Sequence, residues 1–123
     1  MKRVTKPWGS EEWLALNEHY CLKIMHMKKG TRTSLQVHSQ KRETHYVDSG
    51  SVKYTIGLGP DTLIDTVHGP GSVIDIPPGT VHRCEALEDS RLIEASTPQV
   101  DDVTRLQDDY RRPSGRIDAE HGR

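Results

Sequence analysis

Alternation is the feature that most constrains this chain. Short runs in which Val, Ile, Thr and Tyr recur at every second position occupy 12–16, 20–28, 33–38, 43–48, 51–57, 62–67, 72–76, 81–86 and 91–96, punctuated by Gly, Pro, Asp and Ser. Alternation sends successive side chains to opposite faces, so each run reads as a strand with one face toward a core. Many short strands at regular spacing form a sandwich or a barrel, and the fold class is all-β. Only 100–110 competes as a helix, because its acidic start favours a helical turn; an ordered loop suits it equally. After Pro113 almost nothing is apolar, so 113–123 is expected to be a mobile polar tail behind a single domain of 1–112.

Composition narrows the setting. The 123 residues suffice for one core. With 33% hydrophobic residues, 28% charged and no Phe, that core is lean, and apolar surface shared with a second copy is expected, hence a homodimer. A formal charge of −1 gives no electrostatic case for nucleic acid or an anionic membrane. The N-terminal Met-Lys-Arg-Val-Thr-Lys lacks the hydrophobic stretch of a signal peptide, which makes the cytoplasm the default location. Cys21 and Cys84 are too few for a disulfide framework and too far apart to form a metal-ligand pair.

Chemistry concentrates in two places. Gln36, His38 and Glu43 lie in a strand-rich stretch between Gly30 and Gly50, and His82 follows Pro77-Pro78-Gly79. Gln36 and His38 are two residues apart and leave one face of a strand, Glu43 reaches that face from the next strand, and tertiary folding must add His82. Two imidazoles, a carboxylate and an amide oxygen suit one divalent ion, Zn²⁺ foremost and Mn²⁺, Fe²⁺, Co²⁺ or Ni²⁺ next, for redox-inert Lewis-acid work. The competing reading is that these are solvated polar residues of an edge strand. That would suit any one of them alone, but not four together, each beside the right glycine.

The spacing resembles the two-part signature of the cupin superfamily. Gly30, Gln36, His38, Glu43 and Gly50 match the first part, with Gln36 where a His is usual. Gly71, Pro77, Gly79 and His82 match the second, with Ala86 in place of an Asn that is not a metal ligand. Over nearly the whole chain, Lys6-Pro7-Trp8-Gly9, Ser34-Leu35-Gln36-Val37-His38, Ile76–Arg83 and Asp102–Arg112 resemble the cupin domain of type II mannose-6-phosphate isomerases, which also carries Gln in the first ligand place. There the domain follows a sugar-nucleotide transferase, and this chain is similar to the cupin part alone. It departs at Arg111, where that family has Gly before the last Arg, and around Glu43, where Lys-Arg-Glu-Thr-His-Tyr is one residue out of step. The resemblance implies a cupin double-stranded β-helix, or jelly-roll barrel, with an N-terminal strand arm and an ordered C-terminal segment.

Further residues complete a catalytic hypothesis, each against a plainer reading. His45 shares strand parity with Glu43 and is a candidate proton carrier, or equally a hydrogen-bonded core histidine. Lys23, which matches a Lys of the resembled domain, is a second candidate if its strand turns it inward. Arg32, Arg83, Arg105 and Arg112 are candidates to hold phosphate, with pairing to Asp101, Asp102, Asp108 or Asp109 as the alternative for the last two. The resemblance implies metal-dependent aldose–ketose isomerisation of a sugar phosphate or nucleotide sugar. The alternative is a non-catalytic module that binds a sugar or related anion and regulates a neighbouring enzyme. An oxygen-using enzyme ranks third, because Gln36 replaces a His.

Overall fold

The computed structural model describes residues 2–117. The strands are β1 (Lys2–Lys6), β2 (Gly9–Leu16), β3 (Cys21–Met27), β4 (Leu35–Val37), β5 (Glu43–Ser49), β6 (Val52–Gly57), β7 (Ile64–His68), β8 (Val73–Ile76), β9 (Val81–Ala86), β10 (Ser90–Ser96) and β11 (Thr104–Gln107). Each of the nine alternating runs contains a strand, and 33–38 contracts to the three residues of β4. No helix forms at 100–110. Thr104–Gln107 is instead strand β11, antiparallel to β4, with Arg105 opposite Gln36. The acidic residue expected to favour a helical turn is used elsewhere: the Asp102 carboxylate accepts the backbone N–H groups of Gln40 (2.7 Å) and Lys41 (3.1 Å). Tertiary hydrogen bonding overrides a local preference here.

Two antiparallel sheets face each other, one ordered β1-β2-β3-β10-β5-β8 and the other β11-β4-β9-β6-β7. β10 is thus inserted between β3 and β5. Register lines the inward side chains of the larger sheet into rows. The lowest runs Val4, Glu11, Met25, Leu92, Val47. Above it run Trp13, Lys23, Glu94, His45, Ile74, and then Cys21, Ser96, Glu43, Ile76. The barrel is therefore apolar at one end, where Leu92, Val47, Val52, Tyr54 and Ala86 are buried together. Toward the other end the inward positions turn polar.

Two glycines enforce local geometry. Gly50 has φ 94°, and a Cβ there would lie 2.2 Å from Ser90 Oγ and 2.6 Å from the Asp89 carbonyl, so the β5–β6 turn admits no side chain. Gly79 has φ 80°, with the Thr80 N–H donating to the Pro77 carbonyl at 3.3 Å. This is a type II turn with Pro78 at its second position and Gly79 at its third. The Gly79 N–H also donates to the His38 carbonyl at 2.8 Å, tying the start of the His82 strand to the end of the His38 strand. β4 and β9 share a single ladder pair, Gln36 with His82.

The polar segment beyond Pro113 begins against the barrel. The Arg105 guanidinium donates to the Pro113 and Gly115 carbonyls, and the Gly115 N–H donates to Val103. The remainder of the expected tail, 118–123, lies outside the described residues. Cys21 and Cys84 are buried and free of any disulfide. No helix among the described residues is long and apolar enough to cross a membrane.

Candidate metal centre and its charged surround

His38, Glu43 and His82 each bring one donor atom within 4.8 Å of the other two, and all three are buried. Their ring tautomers follow from the neighbouring main chain. His38 Nδ1 lies 2.5 Å from the Asp102 carbonyl and His82 Nδ1 lies 2.9 Å from that of Thr80. Each carbonyl can only accept, so each Nδ1 carries the proton, and in the neutral ring each Nε2 turns a lone pair inward. His38 Nε2 then faces Glu43 Oε2 at 3.1 Å, and both atoms are buried without a hydrogen-bond partner. Two lone-pair-bearing atoms facing each other in a protein interior call for a proton or a cation between them. The donor chemistry fits a divalent ion.

Gln36 lies at the same spot with its amide reversed relative to the expected amide-oxygen ligand. Its Nε2 is 3.3 Å from His82 Nε2, and its Oε1 accepts from the Ser34 hydroxyl at 2.6 Å. A half-turn of the amide exchanges the two atoms, and the Ser34 hydroxyl can pair with either.

Around this cluster lies a buried set of charges that sequence reasoning found only in part. Lys23 Nζ is 3.7 Å from Glu11 and 4.0 Å from Glu94; Lys41 Nζ is 3.4 Å from Glu43 and 3.1 Å from Glu94. His45 Nε2 is 2.6 Å from Glu43 and 3.4 Å from Glu94, while its Nδ1 meets the Tyr54 hydroxyl at 2.7 Å. His45 thus points inward as its parity with Glu43 required, and Lys23, whose placement was open, points inward too. Glu11, Lys41 and Glu94 went unrecognised, although the same parity places Lys41 with Glu43 and Glu94 with Leu92. Glu43, His45 and Glu94 also approach one another closely, and the Lys41 ammonium lies beside both clusters, 3.1 Å from Glu94 and 3.4 Å from Glu43 Oε2.

Electrostatics follows from this packing. Burial disfavours the charged form of Glu43, yet the Lys41 ammonium and the His45 hydrogen bond outweigh it and hold the carboxyl well below the usual range. Glu94 is lowered against burial in the same way by Lys41 and Lys23. Burial also opposes the His45 cation, but Glu43 and Glu94 raise it to about 9. His82 is lowered chiefly by burial. Among these groups three carboxylates (Glu11, Glu43, Glu94) face two ammonium groups (Lys23, Lys41), and the His45 cation balances the set.

The arginines divide. Arg105 and Arg112 line the cavity, a space of about 80 Å³ also bounded by Lys6, Trp8, Tyr54 and Val103. Arg112 pairs with Asp108 through Nε at 2.9 Å. Arg32 lies outside that lining and forms a two-pronged pair with Asp109 at 2.6 and 2.7 Å. Arg83 takes the face of β9 opposite His82, where its Nε donates to the Thr33 carbonyl at 2.9 Å.

A two-sheet barrel with a His–Glu–His cluster at its polar end defines the cupin class. The chain is similar to KdgF of Halomonas sp. (TM-score 0.71, 21% identity, 83% of this chain and 92% of that one) and to an RmlC-like cupin of Shewanella frigidimarina (TM-score 0.71, 19% identity, 82% and 86%). Within that class, the chain belongs to the family described as mannose-6-phosphate isomerase C-terminal, whose model matches residues 1–108. The mannose-1-phosphate guanylyltransferase ManC of Salmonella typhimurium is 30% identical over 116 residues, which is 90% of this chain and 23% of that protein. The chain spans about a quarter of the length of the curated relatives it matches.

Proposed function

We propose that the chain is a divalent-metal-dependent isomerase interconverting an aldose phosphate and its ketose, with mannose 6-phosphate the first substrate to test. The observation that carries this reading is the convergence of His38 Nε2, Glu43 Oε2 and His82 Nε2 with their lone pairs turned inward. Gln36, His38, Glu43 and His82 would hold the ion, Zn²⁺ first and Mn²⁺, Fe²⁺, Co²⁺ or Ni²⁺ next. Bound there, it supplies Lewis-acid polarisation of the sugar's oxygens. His45 carries the proton between adjacent carbons, its ring oriented by the Tyr54 hydroxyl, and Lys23 in the same row is the second proton carrier. Arg105 and Arg112 hold the phosphate at the cavity. Arg32 and Arg83 brace the segment that presents them, through Asp109 and the Gln107 carbonyl. A homodimer in the cytoplasm, where two buried thiols stay reduced, completes the reading.

One observation favours a second reading. Each proton carrier is already engaged with buried carboxylates, which suits a module that binds a sugar phosphate or nucleotide sugar without transforming it. The test incubates metal-loaded protein with mannose 6-phosphate in deuterated water. Deuterium at the carbon beside the carbonyl, lost in His45→Gln, supports the isomerase. Saturable binding without exchange for every sugar phosphate and nucleotide sugar tried replaces it with the binding module.

A further inference from the structure

The segment that follows β10 does more than cover the cavity. Asp102 accepts the His38 Nδ1 proton on its main-chain carbonyl. Its carboxylate accepts from the Ser39 N–H (3.3 Å), the Ser39 hydroxyl (2.8 Å), the Gln40 N–H (2.7 Å) and the Lys41 N–H (3.1 Å). One residue therefore fixes the tautomer of His38, at the end of β4, and the loop that delivers Lys41 to Glu43 and Glu94. Two residues further on, β11 pairs with β4 beside Gln36, and Val103 lines the cavity. β11 is an edge strand, so its docking rests on the β4 ladder, on the Arg32 and Arg83 bonds at or just beyond its far end and, at its head, on the Asp102 bonds.

We infer that Asp102 is a positioning residue for the metal centre and that, through it, cation binding and docking of residues 100–107 are thermodynamically linked. This rests on His38, Glu43 and His82 being a cation site. A docked segment turns the His38 lone pair inward, and an undocked one frees the ring to rotate and take either tautomer. By reciprocity, an ion that requires the inward lone pair must stabilise the docked segment by the same factor. Replacing the Asp102 side chain leaves its carbonyl in place but removes the bonds that hold that carbonyl against the ring.

The experiment uses the full chain. Zn²⁺ affinity is measured by competition with a chelating dye for wild type, Asp102→Asn and Asp102→Ala, and amide hydrogen exchange of wild type is followed with and without Zn²⁺. The expected result is a loss of about 10-fold or more in affinity for Asp102→Ala, with a smaller loss for Asp102→Asn. Zn²⁺ should also slow exchange across 39–41 and 100–107 while leaving β7 unchanged. A merely structural role would lower thermal stability without moving the affinity. Folded Asp102→Ala that binds Zn²⁺ as tightly as wild type overturns the inference, and so does exchange across 100–107 that Zn²⁺ leaves untouched. Should Asp102→Ala fail to fold, the wild-type exchange decides. Wild type that binds neither Zn²⁺ nor Mn²⁺ removes the metal reading as well, whereas binding without coupling removes this inference alone.

Discussion

Arg111 has φ 56°, in the left-handed region that favours glycine. A side chain there costs on the order of 1–2 kcal/mol against Gly, partly offset because Gly loosens the unfolded chain. Arg111→Gly should therefore raise stability by about 0.5–1 kcal/mol, read as a higher urea midpoint at unchanged slope. Glu94 makes the opposite case. It faces Lys23, Lys41 and His45 inside the barrel, so Glu94→Gln strands buried positive charge and should cost about 3 kcal/mol or more, measured by the same denaturation. The convergence of His38, Glu43 and His82 was legible from their spacing. Glu94, Glu11 and Lys41 were not, since a charge at a core-facing position is costly unless partnered, and the partners lie on strands whose adjacency only the fold reveals. The split among the arginines escaped for a related reason: strand parity turns Arg83 away from His82, and Asp109, 77 residues from Arg32, engages it.

Strand existence was legible in nine places because alternation is a local property. β1 was legible only as the N-terminal arm that the resemblance implied, and β11 was not, since its pairing with β4 is a long-range choice that no local pattern announces. Asp102, at the head of that strand, leads to a pH prediction. Burial works to raise its carboxyl, but the Gln40 N–H, the Ser39 hydroxyl and the Lys41 N–H outweigh this and lower it from 3.8 to about 2. A carboxyl lowered in the folded state contributes stability that is complete above the unfolded value and is lost as pH falls through the folded one. Wild type should thus loosen at 98–107 as pH drops from about 4 to about 2, seen as faster limited proteolysis by an acid protease. Asp102→Asn should be loose already at neutral pH and show no further step from this group.

On the outside of the larger sheet, register aligns Ile24, Ile93, Tyr46 and Val73 in one row. Tyr46 is 41% exposed and Val73 64%, an apolar band on a sheet face that the barrel leaves uncovered. Its flanking charges are neutralised within the face, Arg42 by Asp75 at 2.6 Å and Arg91 by Asp48 at 3.4 Å, so two copies can meet there without like charges opposing. Ile93→Arg should therefore convert the proposed homodimer to a monomer in sedimentation equilibrium without unfolding it; a wild-type protein already monomeric at high concentration contradicts that proposal. The placement of β10 between β3 and β5 also sets a timetable. A chain emerging from the ribosome makes β3 and β5 early, but the strand that joins them, and the carboxylate that neutralises Lys23 and Lys41 together, arrive only with residues 90–96. Until then the nascent chain holds two half-sheets with open edges and two lysines lacking their shared counter-ion. Closure of this barrel thus waits for residues 90–96, and fragments ending before Ser90 should stay open and prone to proteolysis.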